Sequence, residues 1–337
     1  MKFIPLIRAS AVLPFVKFLN HIGAPTERYL KQVHLPIVNP ENSENLVPLI
    51  QTLAFGELVA RKEGIENLGM VVAQKSQLSE LGNYGGLLCQ SLTLYEMLCK
   101  IVKLRSMLNS GAKVWLTEDS NYFWLKHQFT IPHHIQADQG QGFALTMYLN
   151  VIRLAAGSNW QPDRLYLQGS KSKNKFFLEL DCLSNTQIYF HQSHNAFRFS
   201  KNLLSKPLIR STIPFIYSDA EENLKLTAPS ANLTDSLRQL ILLLLPEGHP
   251  SLPIAAEASG TSIRTFQRQL EKSNLNYSQL VEQIRFDQAV NLLKDPTNKL
   301  IDIAFDLGYT DAANFTRAFK RWTGVSPSQF RNFHLQC

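Results

Sequence analysis

The chain has 337 residues, 45% of them hydrophobic, and carries 34 Lys and Arg against 27 Asp and Glu, a net charge of +7. This length holds two domains with sizeable cores, and this apolar fraction excludes a disordered or collagen-like polypeptide. The positive balance favours an anionic partner without naming one.

Residues 1–16 are apolar but broken by Arg8 and followed by Lys17, with no small-residue cleavage site after them. They lead into an expected amphipathic core helix over residues 11–22, ended by Gly23, and not into a signal peptide. The spacing predicts mostly helix up to about Ser110. Over residues 92–102 apolar side chains recur at three and four, as a half-buried helix requires. Gly82, Gly85 and Gly86 come before it without GxGxxG or Lys-Ser/Thr spacing, so they predict a tight turn and not a phosphate cradle. The pattern then changes to β-branched and aromatic residues at 114–117 and 122–129, separated by Asp119-Ser120-Asn121, a hairpin signature. Helical spacing returns over residues 142–156 and stops at Gly157. Residues 164–167, 175–180 and 187–190 read as further strands. An α+β domain over residues 1–208 is therefore expected. Residues 209–233 contain Pro214, Pro229 and the acidic stretch 219–222, and are expected to form a linker. An all-α domain over residues 234–337 should follow, its first helix capped by Thr234 or Asp235 and stopped by Pro246. The apolar run 241–245 inside that helix is far too short to cross a bilayer. A soluble, cytoplasmic protein without a membrane partner is expected.

Within the last hundred residues one motif occurs twice. The first copy is Ala255-Ala256-Glu257-Ala258-Ser259-Gly260, then Thr261 to Leu270; the second is Ile303-Ala304-Phe305-Asp306-Leu307-Gly308, then Tyr309 to Phe319. Their glycines lie 48 positions apart, and Phe266, Arg268 and Leu270 match Phe315, Arg317 and Phe319. Each copy reads as a short helix, a glycine turn and a second helix, a helix-turn-helix whose second helix can enter the DNA major groove. Ser262 and Asp311 are the expected caps. Ile263, Phe266 and Leu270 should point inward, as should Phe315 and Phe319. That leaves Arg264, Thr265, Gln267 and Arg268 facing out in the first motif, and Ala313, Asn314, Thr316 and Arg317 in the second. Arg pairs with guanine, Gln and Asn with adenine, and Ala can touch a thymine methyl. Phosphate contact is the alternative for the polar ones, and Lys320 and Arg321 are better placed for phosphates. Charge alone does not decide this, because the region from Ser236 onward holds 11 Lys and Arg against 9 Asp and Glu. Between the motifs, residues 277–293 carry an apolar stripe of Leu280, Val281, Ile284, Leu292 and Leu293. A helix of that length would hold the two reading helices near one DNA turn apart on one side of the duplex.

The second motif, continued through Lys320-Arg321-Trp322-Thr323-Gly324-Val325-Ser326-Pro327-Ser328-Gln329-Phe330-Arg331, resembles the DNA-binding domain of the AraC/XylS family of bacterial transcription regulators. The resemblance covers residues 235–333 and includes the family's Arg-x-x-x-Ala as Arg285 and Ala289. It implies DNA contact by Arg264, Gln267, Arg268, Asn314, Thr316 and Arg317, promoter DNA as partner, and activation through RNA polymerase more than repression. Ala312 and Ala313 stand where some members carry larger polar side chains. Leu81-Gly82-Asn83-Tyr84-Gly85-Gly86-Leu87-Leu88, Asn195-Ala196-Phe197-Arg198-Phe199 and Leu203-Leu204-Ser205-Lys206-Pro207-Leu208 are similar to the regulatory domain called arabinose-binding in one subgroup of that family. That subgroup does not resemble the cupin barrel of the arabinose regulator, and its label does not imply arabinose. It implies either sensing of a small-molecule effector or homodimerisation.

Other chemistry finds little support. Cys89, Cys99, Cys182 and Cys337 are scattered without a CxxC pair; Cys89 and Cys99 read as buried free thiols in a reducing compartment. His133 and His134 near His127, and His191 with His194, lack the cysteine or paired carboxylate that would complete a metal site. Trp115, Phe123, Trp124, Phe129, Tyr148 and Tyr166 could line a pocket, but at strand spacing they read first as core. No nucleophile elbow or other catalytic constellation occurs, so no catalytic residue and no cofactor are expected. A DNA-modifying or repair enzyme with a fused helix-turn-helix is the alternative; the chain lacks the cysteine cluster such enzymes carry.

Overall fold

The computed structural model describes residues 2–172, 174–178, 183–208, 219–248 and 250–335. The chain divides into a unit from Pro5 to Pro229 and a second unit from Ser230 onward, which also takes in the residues up to Ile4.

In the first unit, β1 (Leu6–Arg8) pairs antiparallel with β2 (Leu46–Pro48), with α1 (Leu13–His21) and α2 (Thr26–Gln32) between them. There follow α3 (Leu49–Glu63), α4 (Leu68–Lys75), α5 (Gly82–Cys89) and α6 (Leu94–Leu108). Thr93 caps α6 by accepting from the Glu96 N–H, while Glu96 accepts from the Leu92 N–H just before the cap, so the two bonds fix the start of the helix locally. The strands β3 (Ala112–Asp119) and β4 (Tyr122–Phe129) form the expected hairpin, with Ser120 at positive φ in its turn. Then come α7 (Asp138–Ala156), β5 (Arg164–Tyr166), α8 (Lys175–Leu178), β6 (Gln187–Tyr189), β7 (Asn195–Ser200) and α9 (Ala220–Leu226). The sheet order is β3-β4-β7-β5-β6, antiparallel except for the β5–β6 pair. Leu125, Leu145, Ile152, Leu165 and Phe197 are among the fully buried residues of the core between sheet and helices.

Four expectations for this unit are corrected here, and one strand is added. The glycine cluster makes a turn only at Gly82, at φ 63°; Gly85 and Gly86 lie inside α5, where a Cβ on Gly85 would fall 1.9 Å from the Leu78 carbonyl oxygen. Close backbone approach, not turn geometry, requires that glycine. Residues 175–178 of an expected strand are the helix α8; residues 179–180 lie outside the described residues. Four residues hold too few apolar positions for period 2 and period 3.6 to be told apart. The strand β7, read from sequence only as a family cue, sits at the middle of the sheet. Cys99 is exposed and Cys89 half-buried, since an apolar neighbourhood along the chain does not fix which helix face is covered. Finally, residues 219–229 of the expected linker include α9, which the first unit holds. Arg8, fully buried, donates through Nη2 to the Leu224 carbonyl at 2.9 Å and to Thr227 Oγ1 at 3.0 Å. The same guanidinium donates to the Met107 and Glu44 carbonyls, each at 2.8 Å.

The second unit is helical: α10 (Leu233–Leu244), α11 (Leu252–Ala258), α12 (Ile263–Lys272), α13 (Tyr277–Leu293), α14 (Leu300–Asp306), α15 (Ala312–Thr323) and α16 (Pro327–Leu335). The cap of α10 is Asn232, not Thr234 or Asp235: its Oδ1 accepts from the Asp235 N–H at 2.9 Å. The core around the second motif joins Ala289 and Leu293 of α13, Ile303, Ala304 and Leu307 about α14, and Phe315 and Phe319 of α15.

Candidate nucleic-acid interface

In the first motif α11 buries Ala255, Ala256 and Ala258, small side chains that let α12 approach. Gly260 turns the chain at φ 67°, and Ser262 caps α12 by accepting from the Thr265 N–H at 3.3 Å. Phe266 and Leu270 are buried. Arg264, Gln267 and Arg268 are exposed, and Thr265 is half-buried with its hydroxyl accepting from Ser262 at 3.0 Å. Ile263, expected inward, is instead 44% exposed. Side chains of a helix tilt toward its N-terminus, so a first-turn residue projects past the end of the packed body.

The second motif repeats this construction with more polar cross-bracing. Gly308 turns at φ 75°, and a Cβ there would lie 2.3 Å from the Gly248 carbonyl oxygen and 2.5 Å from that of Leu245. Asp311 caps α15, accepting from the Asn314 N–H at 2.7 Å. The Asn314 amide donates to Asp311 at 2.7 Å and to Thr310 Oγ1 at 3.1 Å, and Arg317 donates in turn to Asn314 Oδ1. Ala313, Arg317 and Lys320 are exposed. Thr316 turns its hydroxyl back to the Ala312 carbonyl at 2.8 Å. Arg321 is exposed but engaged, donating to Glu282 of α13 at 2.6 Å.

Between the motifs, α13 runs Tyr277–Leu293, 17 residues or about 26 Å. It is tied at three places. The Tyr277 hydroxyl donates to the Pro250 carbonyl at 2.9 Å, ahead of α11. Arg238 of α10 pairs with Asp287 at 2.7 Å. Arg285, buried, donates from Nε to the Leu307 carbonyl at 3.0 Å, and its guanidinium lies 4.8 Å from the centre of the Tyr309 ring. Burial lowers the Arg285 pKa, opposed by Tyr309 and Glu282, and burial raises that of Tyr277. Thus the family's Arg-x-x-x-Ala arginine closes the end of α14, where carbonyls lack helical partners. The sequence did not mark Tyr277 as a tie, and it placed Ile263 inward. The tyrosine's signal was its place at the first turn of α13; the isoleucine obeyed the apolar spacing and gave no warning.

In the first unit, Phe129 and Tyr148 of the aromatic pocket candidates line a cavity of about 120 Å³. The other aromatics pack elsewhere: Trp124 on Tyr166, Phe123 on Phe199 and Trp115 on His194. His127 is a buried strand residue of β4. Among the described residues no three His, Cys, Asp or Glu gather as a metal site, and no helix is long and apolar enough to cross a membrane.

Two capped helices, each presenting Arg and Gln or Asn from a glycine-turned pair, define a transcription regulator that binds DNA through paired helix-turn-helix motifs. Residues 23–208 match the model of the arabinose-binding N-terminal domain of AraC transcription regulators, and residues 255–332 match that of a helix-turn-helix domain. The chain belongs to the AraC family of transcription regulators. It is 24% identical over 302 residues to the ornithine utilization regulator of Pseudomonas aeruginosa, covering 87% of this chain and 88% of that protein. It is 40% identical over 105 residues to the regulator VqsM of the same species, spanning 29% of this chain and 31% of VqsM. With the transcriptional activator CfaD of Escherichia coli it shares 34% identity over 80 residues, 24% of this chain and 30% of CfaD. These relatives are regulators and not enzymes.

Proposed function

We propose that one chain reads promoter DNA with α12 and α15 in successive major-groove segments, and that the N-terminal unit governs that binding in the cytoplasm. The carrying observation is the second motif's chain of Asp311, Asn314 and Arg317, which holds two reading groups in place before DNA arrives. Arg264, Gln267, Arg268, Asn314 and Arg317 are the base-reading candidates, with Ile263 and Ala313 offering apolar contact to thymine methyls. Lys320 contacts phosphate. Arg321 does so less, because Glu282 neutralises it. Thr265 and Thr316 have hydroxyls bonded within the domain and hold the helix surface, whereas Asn314 would exchange its exposed bonds to Thr310 and Asp311 for those to a base. The name of the CfaD relative and the family resemblance favour activation, which brings RNA polymerase as a partner, and a homodimer would double the half-sites read.

The test is titration of the purified protein on its own promoter and on random DNA of equal length. Arg268→Ala should weaken promoter binding by about 1–3 kcal/mol and leave random-DNA binding nearly unchanged. Equal losses on both would assign Arg268 to a phosphate.

A further inference from the structure

The N-terminal cavity carries polar groups that the fold itself does not use. Its walls are apolar for the most part, with Phe15, Leu53, Ile101 and Phe143 among them. Set in those walls are Arg105 and His127. His127 is 3% exposed, and its Nδ1 has no hydrogen-bond partner among the described residues. Arg105 donates through Nη1 to the Ala112 carbonyl, but its Nε is buried without a partner among the described residues. Among the described residues no carboxylate pairs with Arg105, and none lines the cavity. A donor left unpaired away from water is costly, and a cation without a counter-charge is more so. Both sit where a guest would meet them.

We infer that this cavity is an effector site for a small carboxylate with an apolar body of about one ring, its carboxylate accepting from Arg105 and from the His127 Nδ1–H. Burial holds the His127 pKa down to about 4, so the imidazole is neutral at physiological pH and adds a hydrogen bond without a second charge. The size limits the guest: at about 120 Å³ the cavity is smaller than the roughly 150 Å³ of an apolar cavity that takes benzene, so an apolar body of at most one ring can enter. The other lining polar groups include Asn109, which already accepts from the Gly111 N–H at 2.8 Å, and Thr52, which donates to the Pro48 carbonyl at 2.9 Å. Tyr84 and Tyr148 also line the cavity, so the polar groups of its walls are few against the hydroxyl on nearly every carbon of a pentose. The chemistry selects one anionic head and an apolar remainder. The inference rests on the reading of the N-terminal unit as the regulatory one.

Thermal melting and calorimetry of the full chain test it with benzoate, with the uncharged benzamide and with L-arabinose. At about a hundred times its dissociation constant, benzoate should raise the melting temperature by on the order of 5 °C. Benzamide should bind at least about tenfold more weakly, as loss of a charge-assisted pair implies, and arabinose should give no shift. Arg105→Met should erase the preference for benzoate over benzamide, and Ala144→Leu, which fills the cavity and keeps the charge, should weaken both. If Arg105→Met does not fold, the benzoate–benzamide comparison on the unmodified protein decides alone. Equal binding of the two, no binding of either, or binding of arabinose would overturn the inference. Benzoate binding that leaves promoter affinity untouched would keep the site and refute only the regulatory reading, so the two failures are separable.

Discussion

Arg105 and Arg285 are cations drawn partly out of water, and the protein compensates them differently. Arg285 has the Leu307 carbonyl and the face of Tyr309, and so makes a structural joint between α13 and the turn of the second motif. Arg105 keeps a buried nitrogen without a partner among the described residues, beside a cavity, which suits ligand recognition better than stability. His127 allows a direct measurement of that environment. Its pKa is lowered to about 4 by burial, against about 6.5 in the unfolded chain. Between those values the unfolded state binds a proton that the native state refuses. The stability is therefore full above about pH 6.5 and is lost as pH falls toward 4, by on the order of 3 kcal/mol. Unfolding of the N-terminal unit followed from pH 7.5 to 4.5 should show this loss, and His127→Gln should flatten it. Superimposable pH profiles for the two proteins would refute the assignment. Neither Arg105 nor His127 was legible as a site residue, because 22 positions separate them along the chain and only the packing of α6 on β3, the hairpin partner of β4, brings both to one cavity.

At the scale of elements, the two motifs show how much a repeated pattern fixes. The caps Ser262 and Asp311, the inward Phe266, Leu270, Phe315 and Phe319, and the span of α13 were all legible, because caps and 3.6-residue periodicity act within one or two turns. The two turn glycines were legible as residues, but the reason at Gly308 is partly tertiary. Its Cα sits against the Leu245 and Gly248 carbonyls after α10. Gly324 offers the control, since it has φ 81° and open space around its Cβ position. Gly324→Ala should cost about 1 kcal/mol for the left-handed backbone alone. Gly308→Ala should cost clearly more in urea unfolding and also weaken promoter binding, since the steric conflict displaces the turn that aims α15. Equal costs at the two positions would show that backbone conformation is the whole requirement. Misreadings at this scale fell on short elements, α8 and the helix of the glycine cluster, where few residues carry the period.

Over the whole chain, the positive charge is spread, and the DNA-binding region is close to neutral in count. Affinity must then come from placement. Each phosphate neutralised adds about 0.9 to the slope of log affinity against log salt. Lys320→Ala should lower that slope by about one unit, whereas Arg321→Ala should lower it less, because Glu282 already occupies its guanidinium. Equal changes, read from promoter titrations between low and moderate salt, would mean that the Arg321–Glu282 pair opens on DNA. The sequence by itself determined the family, the two motifs, their capped helices and the α+β character of the N-terminal half. The family came from the resemblance of its motifs; the rest follows from propensities and spacings that act between near neighbours in the chain. Tertiary structure alone decided that Ile263 is exposed, that Arg321 is paired, that α9 is held by Arg8 and that Arg105 and His127 share a cavity. Those outcomes depend on which distant segments exclude water from a given side chain, and no local pattern records that.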